Sequence, residues 1–173
     1  MNQGIHSVDL LQWIVGSPVV EVSARIATLA HERIEVEDTA AATLQFESGA
    51  LGTIACTTSL WPGHFRSITI GGTRGTAVLT DETFLVWQFA DTLAGDDDIR
   101  ARLVGHPGAG IGAADPSAGV TAAGHQAVFE AFIRALEAGE TPEIDGNESR
   151  KAVSIIEAIY ASARNGGAPV TPP

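Results

Sequence analysis

The sequence predicts an α+β domain built on a largely antiparallel sheet, and three observations carry that prediction. The chain opens and closes on segments with the 3.6-residue apolar period of helices. Between them lie short alternating segments joined by tight, often Gly-containing turns, which pair neighbouring strands antiparallel and leave little room for crossovers. The 173 residues, 45% hydrophobic and 18% charged, suit a single globular domain over residues 1–173 with one substantial core.

Residues 1–16 read as a helix. Ile5, Val8, Leu11 and Val15 form an apolar stripe that Leu10 and Ile14 widen, so the helix is expected to be mostly buried. Gly16 and Pro18 end it. Val19 to His31, rich in β-branched and small residues, reads as a strand. Asp38 to Glu47 alternates, with Ala40, Ala42, Leu44 and Phe46 on one face and Thr39, Ala41, Thr43 and Gln45 on the other. The turn Glu47–Ala50 returns the chain as Leu51 to Leu60, completing a hairpin whose second face is flat, small and uncharged. Phe65 to Gly71, Gly75 to Thr80 and Thr83 to Phe89 give three further strands. Residues 91–119 read as a long connection, with Asp96 to Asp98 a solvated acidic loop. Thr121 to Ala138 is a second helix with Val128, Phe129, Phe132, Ile133 and Leu136 on one face. Asp145 to Glu148 has capping-box spacing and opens a last helix, whose stripe is Ala152, Val153, Ile156, Ile159, Tyr160 and Ala163.

Charge and composition exclude several classes of function. With 21 acidic against 10 basic residues the net charge is −11, which disfavours nucleic acid and anionic membranes as partners. No apolar run approaches the ~20 residues of a membrane span. No signal peptide is visible, and the single Cys56 forms no internal disulfide, so a cytoplasmic location is expected. Only Lys151 is a lysine, so lysine chemistry must use it or borrow one.

The polar edge of the first helix carries the leading chemical candidate. Asn2, His6 and Asp9 project in nearly the same direction at spacings of four and three residues. His6 reads either as a satisfied core histidine or as a proton donor and acceptor near neutral pH. Asn2 would offer it an amide, and Asp9 either orients the imidazole or anchors backbone. His125, near the start of the second helix, either faces a pocket or simply sits near the helix end. His31, His64 and His106 share no metal-ligand spacing, so no metal site is expected. Cys56 sits mid-strand, where packing explains it. Gly108-Ala-Gly-Ile-Gly-Ala113 matches G-x-G-x-x-A, but Asp115-Pro116 follows at once, so it reads as a loop and no cofactor site is assigned to the chain.

Five stretches in order resemble the C-terminal domain of the glucose-fructose oxidoreductase/inositol dehydrogenase/rhizopine-catabolism (Gfo/Idh/MocA) family. Asn2-Gln-Gly-Ile-His6-Ser-Val-Asp9-Leu-Leu-Gln-Trp13 is similar to the helix carrying that family's active-site histidine. Ile34-Glu-Val-Glu-Asp-Thr-Ala40 with Phe46-Glu-Ser-Gly-Ala-Leu51 resembles its hairpin, and Ile70-Gly-Gly-Thr-Arg-Gly75 a recurrent turn. Gly124-His-Gln…Phe129 and Ile144-Asp-Gly…Ile159-Tyr-Ala-Ser-Ala163 resemble its last two helices.

The resemblance implies an open, mostly antiparallel sheet with helices packed on one face, like the C-terminal domain of glyceraldehyde-3-phosphate dehydrogenase. It implies a sugar or polyol substrate, a homodimer or higher oligomer formed through the sheet face, and NAD or NADP in the full-length protein. His6 takes the place of the acid/base. Asn2 stands where the family often has an aspartate, so it can hold a hydroxyl but carries no charge. Asn2 and His125 are the substrate-binding candidates. The family's Rossmann domain and its Glu-Lys-Pro lysine have no counterpart in residues 1–173, and Lys151 does not replace that lysine. The expectation is therefore a substrate-binding and oligomerisation domain, truncated at its N-terminus and inactive alone. The alternative is a non-catalytic dimerising or sugar-binding module.

Overall fold

A computed structural model describes residues 3–81, 83–105 and 123–173. The described residues form two compact units, Met1–Ser59 with Val120–Pro173, and Leu60–Gly119. Each contains a three-stranded antiparallel sheet, so the α+β antiparallel class is observed, with the strands divided three and three.

In the first unit, helix α1 (Gly4–Val15) leads into strands β1 (Val19–Ala27), β2 (Thr39–Phe46) and β3 (Leu51–Thr57), paired in the order β1-β2-β3. Helices α3 (Ala123–Ala138) and α4 (Gly146–Arg164) complete it. Cross-strand register sets Val22 against Leu44 and Ala24 against Ala42, which puts the apolar side chains of β1 and β2 on one face. That face meets α1 and α4 through Val8, Ile155, Ala158 and Ile159, the core of the unit. The alternation along β2 is as expected: Ala40, Ala42, Leu44 and Phe46 are buried while Ala41, Thr43 and Gln45 are exposed.

The free edge of β1 is closed from within the chain. Val22 exchanges both backbone hydrogen bonds with Val170 at 2.9 Å, and the Ala24 N–H donates to Ser162 Oγ at 2.9 Å. Ser162 in turn donates to the Ala168 carbonyl at 2.7 Å and is fully buried. Gly167 is needed here because its φ is +82°, in the left-handed region that a side chain disfavours.

Helix α4 starts at Asp145, whose Oδ1 accepts the Glu148 N–H at 2.8 Å, the cap its spacing predicts. Its buried stripe differs in phase from the expected one. Ala152, Ile155, Ala158, Ile159 and Ser162 face the sheet, whereas Val153 is 46% exposed. Helix α1 is likewise less buried than its apolar content suggests. Val8 and Gln12 are its buried residues, while Trp13 and Ile14 are exposed, because the sheet and α4 cover only one side of it.

The second unit is a β-meander of β4 (Ser67–Gly72), β5 (Gly75–Thr80) and β6 (Thr83–Phe89), followed by helix α2 (Asp96–Leu103). Phe84, Trp87 and Phe89 stack edge to face at 4.7 and 4.9 Å. The reading of residues 91–119 as a connection is corrected over 96–103. Asp96 is no solvated loop residue: it is 3% exposed, accepts from the Leu93 N–H at 2.8 Å and the Trp87 indole at 3.1 Å, and opens the helix. Those donors hold its carboxyl below the usual range, the Leu93 N–H foremost, against burial that acts upward. Asp97 and Asp98 are exposed and pair with Arg100 and Arg102 along α2.

Candidate functional site

Helix α1 presents its two sides to different surroundings. Val8 and Gln12 turn toward the core, and His6, Asp9 and Trp13 are exposed. Gly16 ends the helix in the left-handed conformation, φ +64°, its N–H donating to the Gln12 carbonyl at 3.1 Å. The polar edge inferred from spacing is therefore a surface edge, and the reading of His6 as a core histidine does not hold. Among the described residues neither the His6 nor the Asp9 side chain makes a hydrogen bond or ion pair, so Asp9 does not orient the imidazole. An exposed imidazole without such a partner keeps both ring nitrogens available to a ligand.

His125 lies in the first turn of α3 and is also exposed, with no hydrogen bond to His6. Asn2, His106 and the Gly108–Ala113 stretch lie outside the described residues. Lys151 is committed to Glu148, three residues before it on α4. No group of three or more His, Cys, Asp or Glu side chains among the described residues could hold a metal. Both sheets are antiparallel, and no described Gly-rich turn carries a strand into a helix with its N-terminus toward a pyrophosphate. These residues do not fit a dinucleotide. No helix of the described residues is long and apolar enough to cross a membrane.

The most heavily bonded side chain was not evident from the sequence. Asp38, at the head of β2, is 4% exposed and accepts from the backbone N–H groups of Leu29, Ala30 and His31 at 2.8–3.1 Å. The His31 ring Nδ1 lies 3.2 Å from Asp38 Oδ2, and Thr39 Oγ1 donates to Asp38 Oδ1 at 3.0 Å. These donors, the Ala30 N–H foremost, hold its carboxyl far below the usual range although burial acts upward. Beside it, Tyr160 on α4 donates to Glu37 at 2.8 Å, and burial together with that carboxylate pushes its hydroxyl up to about 12. The two interactions fix the arm between β1 and β2 to the body of the unit.

Residues 1–78, which include His6 and the β1–β3 sheet, match the family model described as the GFO/IDH/MocA C-terminal domain. Among curated proteins, the chain is 35% identical over 80 residues to the uncharacterized oxidoreductase YrbE of Bacillus subtilis. That alignment covers 44% of this chain and 24% of YrbE. It is 35% identical over 95 residues to myo-inositol 2-dehydrogenase of Thermotoga maritima, covering 47% of this chain and 28% of that protein. The whole chain superposes on the WlbA dehydrogenase of Bordetella pertussis, solved with NADH and UDP-GlcNAcA, with a TM-score of 0.79 and 36% identity. The WlbA dehydrogenase of Chromobacterium violaceum, in complex with the same molecules, gives 0.80 and 34%. In each case the chain spans 45% of the WlbA chain, less than half the length of these relatives. By its matched segment and its fold, the chain is similar to the C-terminal domain of the GFO/IDH/MocA oxidoreductases.

Proposed function

We propose that residues 1–173 act as one substrate-binding and dimerisation domain of a cytoplasmic, NAD(P)-dependent sugar or polyol oxidoreductase, and that the chain is inactive alone. The observation that carries this reading is the likeness of the whole chain to a dehydrogenase solved with NADH and a nucleotide sugar. The match over residues 1–78 supports it, because that segment contains α1 and its exposed histidine. In this reading His6 takes the proton of the substrate hydroxyl on oxidation and returns it on reduction. Asn2 and His125 hold neighbouring hydroxyls through neutral hydrogen bonds. The nicotinamide cofactor, which accepts the hydride, is held by a nucleotide-binding domain outside these residues, since the described ones offer it no cradle. The exposed face of the first sheet supports a homodimer. It sets Thr43 beside Thr53 and Ala41 beside Ala55, a flat surface of small side chains suited to a second sheet.

The test is His6→Ala in the enzyme containing this domain, where kcat is expected to fall about 10²–10⁴-fold. A wild-type rate with a lowered melting temperature would assign His6 to structure instead. Calorimetry on the 173-residue chain should detect no tight NADH binding, and micromolar affinity would overturn the divided-site reading. The antiparallel pairing of both described sheets also favours a second reading, a non-catalytic dimerising or sugar-binding module. That reading predicts no turnover even when a nucleotide-binding domain is supplied.

A further inference from the structure

The first sheet has two edges, and the chain treats them differently. The β1 edge is closed by Val170 and Ser162, which take backbone groups of Val22 and Ala24. At β3, the register with β2 decides which groups stay free. The Phe46 N–H donates to the Ala50 carbonyl and the Thr58 N–H to the Asp38 carbonyl, both at 2.9 Å. With a period of two, Gly52, Ile54 and Cys56 therefore bond β2, and the N–H and C=O groups of Leu51, Thr53, Ala55 and Thr57 point away from it. Among the described residues no strand or isolated bridge pairs with them.

An unpaired strand edge is a template for another strand, and it is normally blunted by lysine, proline, a bulge or a covering loop. The sequence of β3, Leu-Gly-Thr-Ile-Ala-Cys-Thr, has no charge and no proline, and its pairing with β2 runs without a register shift. A second observation concerns the side chains. On the helix side of β2, Ala40, Ala42, Leu44 and Phe46 are at most 7% exposed. On the same side of β3, Ile54 and Cys56 are only half-buried, so the apolar layer stops short at this edge. Leu51, on the other side, is 81% exposed.

We propose that the β3 edge is an interface with a second copy of this chain, the two β3 strands pairing antiparallel about a two-fold axis at Ile54. The strand is self-complementary in that register. Leu51 meets the second copy's Thr57 and Thr53 meets its Ala55, in pairs that exchange both backbone hydrogen bonds, so every outward group of the strand is satisfied. On the helix side Ile54 meets its own copy and Cys56 meets Gly52, which carries the apolar layer across the seam. A chain of net charge −11 repels its copy, and this uncharged seam adds no like-charged pair. The interface is distinct from the face-to-face packing proposed above, which holds two sheets about 10 Å apart through their outer side chains. Ile54 lies on the opposite side of the sheet from that face.

The experiment is cross-linking of the 173-residue chain at micromolar concentration with oxidised glutathione, read on a non-reducing gel. In a Cys56→Ser background, Ile54→Cys sets two thiols at a non-hydrogen-bonded pair within disulfide reach, and covalent dimer is expected as the main product. Leu51→Cys is more exposed but about 20 Å from its own copy in this register, and should give at least about tenfold less. Adding Thr43→Lys, a charge in the middle of the outer face, should leave Ile54→Cys cross-linking unchanged whether or not the face-to-face dimer forms. Equal or greater cross-linking of Leu51→Cys would mean random collision or another register and overturn the proposal. Loss of the cross-link with Thr43→Lys would assign the dimer to the face and overturn it too, as would no cross-link in an Ile54→Cys chain with wild-type circular dichroism. Should Ile54→Cys fail to fold, sedimentation of Ala55→Pro makes the test, because it removes an outward N–H and no bond to β2. Self-association is expected to weaken at least about tenfold, and an unchanged Kd would overturn the proposal.

Discussion

Helices α3 and α4 carry comparable apolar stripes and meet different fates. On α4, Ile155, Ala158 and Ile159 are at most 3% exposed, and Ser162 is fully buried against β1. On α3, Val128, Phe129, Phe132, Ile133 and Leu136 are 47–68% exposed. Side-chain size separates the two. Alanine and serine let α4 approach the sheet closely enough for Ser162 to bond a strand N–H, while the phenylalanines of α3 require a groove that the described residues do not form around them. A helical period thus reports that a face can be buried, and burial itself needs a complementary surface.

This contrast can be broken by substitution. Ile159→Ala should cost about 2–5 kcal/mol in urea denaturation, because it empties a site the sheet cannot collapse into; a loss below about 1 kcal/mol would mean α4 is loosely seated. Ser162→Ala should cost about 1–3 kcal/mol, since the Ala24 N–H loses its buried acceptor. A smaller effect follows from the α4 cap. The Glu148 N–H, foremost among its partners, holds the Asp145 carboxyl below its ordinary value, with burial acting upward. Its stabilisation is therefore complete above the unfolded value near ~4 and is lost as pH falls through the folded one. Asp145→Ala should lower Tm by about 2–4 °C at neutral pH, with the difference from wild type shrinking in acid; a pH-independent difference would refute the charge-assisted cap. Phe132→Ala should change the stability of the isolated chain by no more than about 0.5 kcal/mol. A loss above about 2 kcal/mol would show its stripe covered in solution.

Local patterns were readable where local chemistry decides. The alternation from Ala40 to Phe46 placed its side chains on the correct faces, because a strand's period of two needs only one buried side. The Asp145 cap was equally plain, its partner being three residues away. Helix α2 was hidden by its composition, since Asp96-Asp-Asp98 has the polarity of a loop and its helix lacks a broad apolar stripe. Asp38 and Ser162 were missed for another reason: their roles depend on the tertiary approach of separate segments, Ser162 and Ala24 being 138 residues apart. At the candidate site, the position of His6 on a helix edge was legible. Its exposure was not, because that depends on which side of α1 the sheet and α4 take.

The arm between β1 and β2 shows what such an approach can accomplish. Three successive backbone N–H groups, from Leu29 to His31, converge as in the concave nests that elsewhere capture phosphate or sulfate. Here the anion is tethered to the same chain, as Asp38. The arm carries its own counter-ion into the fold, so its conformation is independent of the anions in the surrounding solution, and that turn is closed to any phosphate a ligand brings.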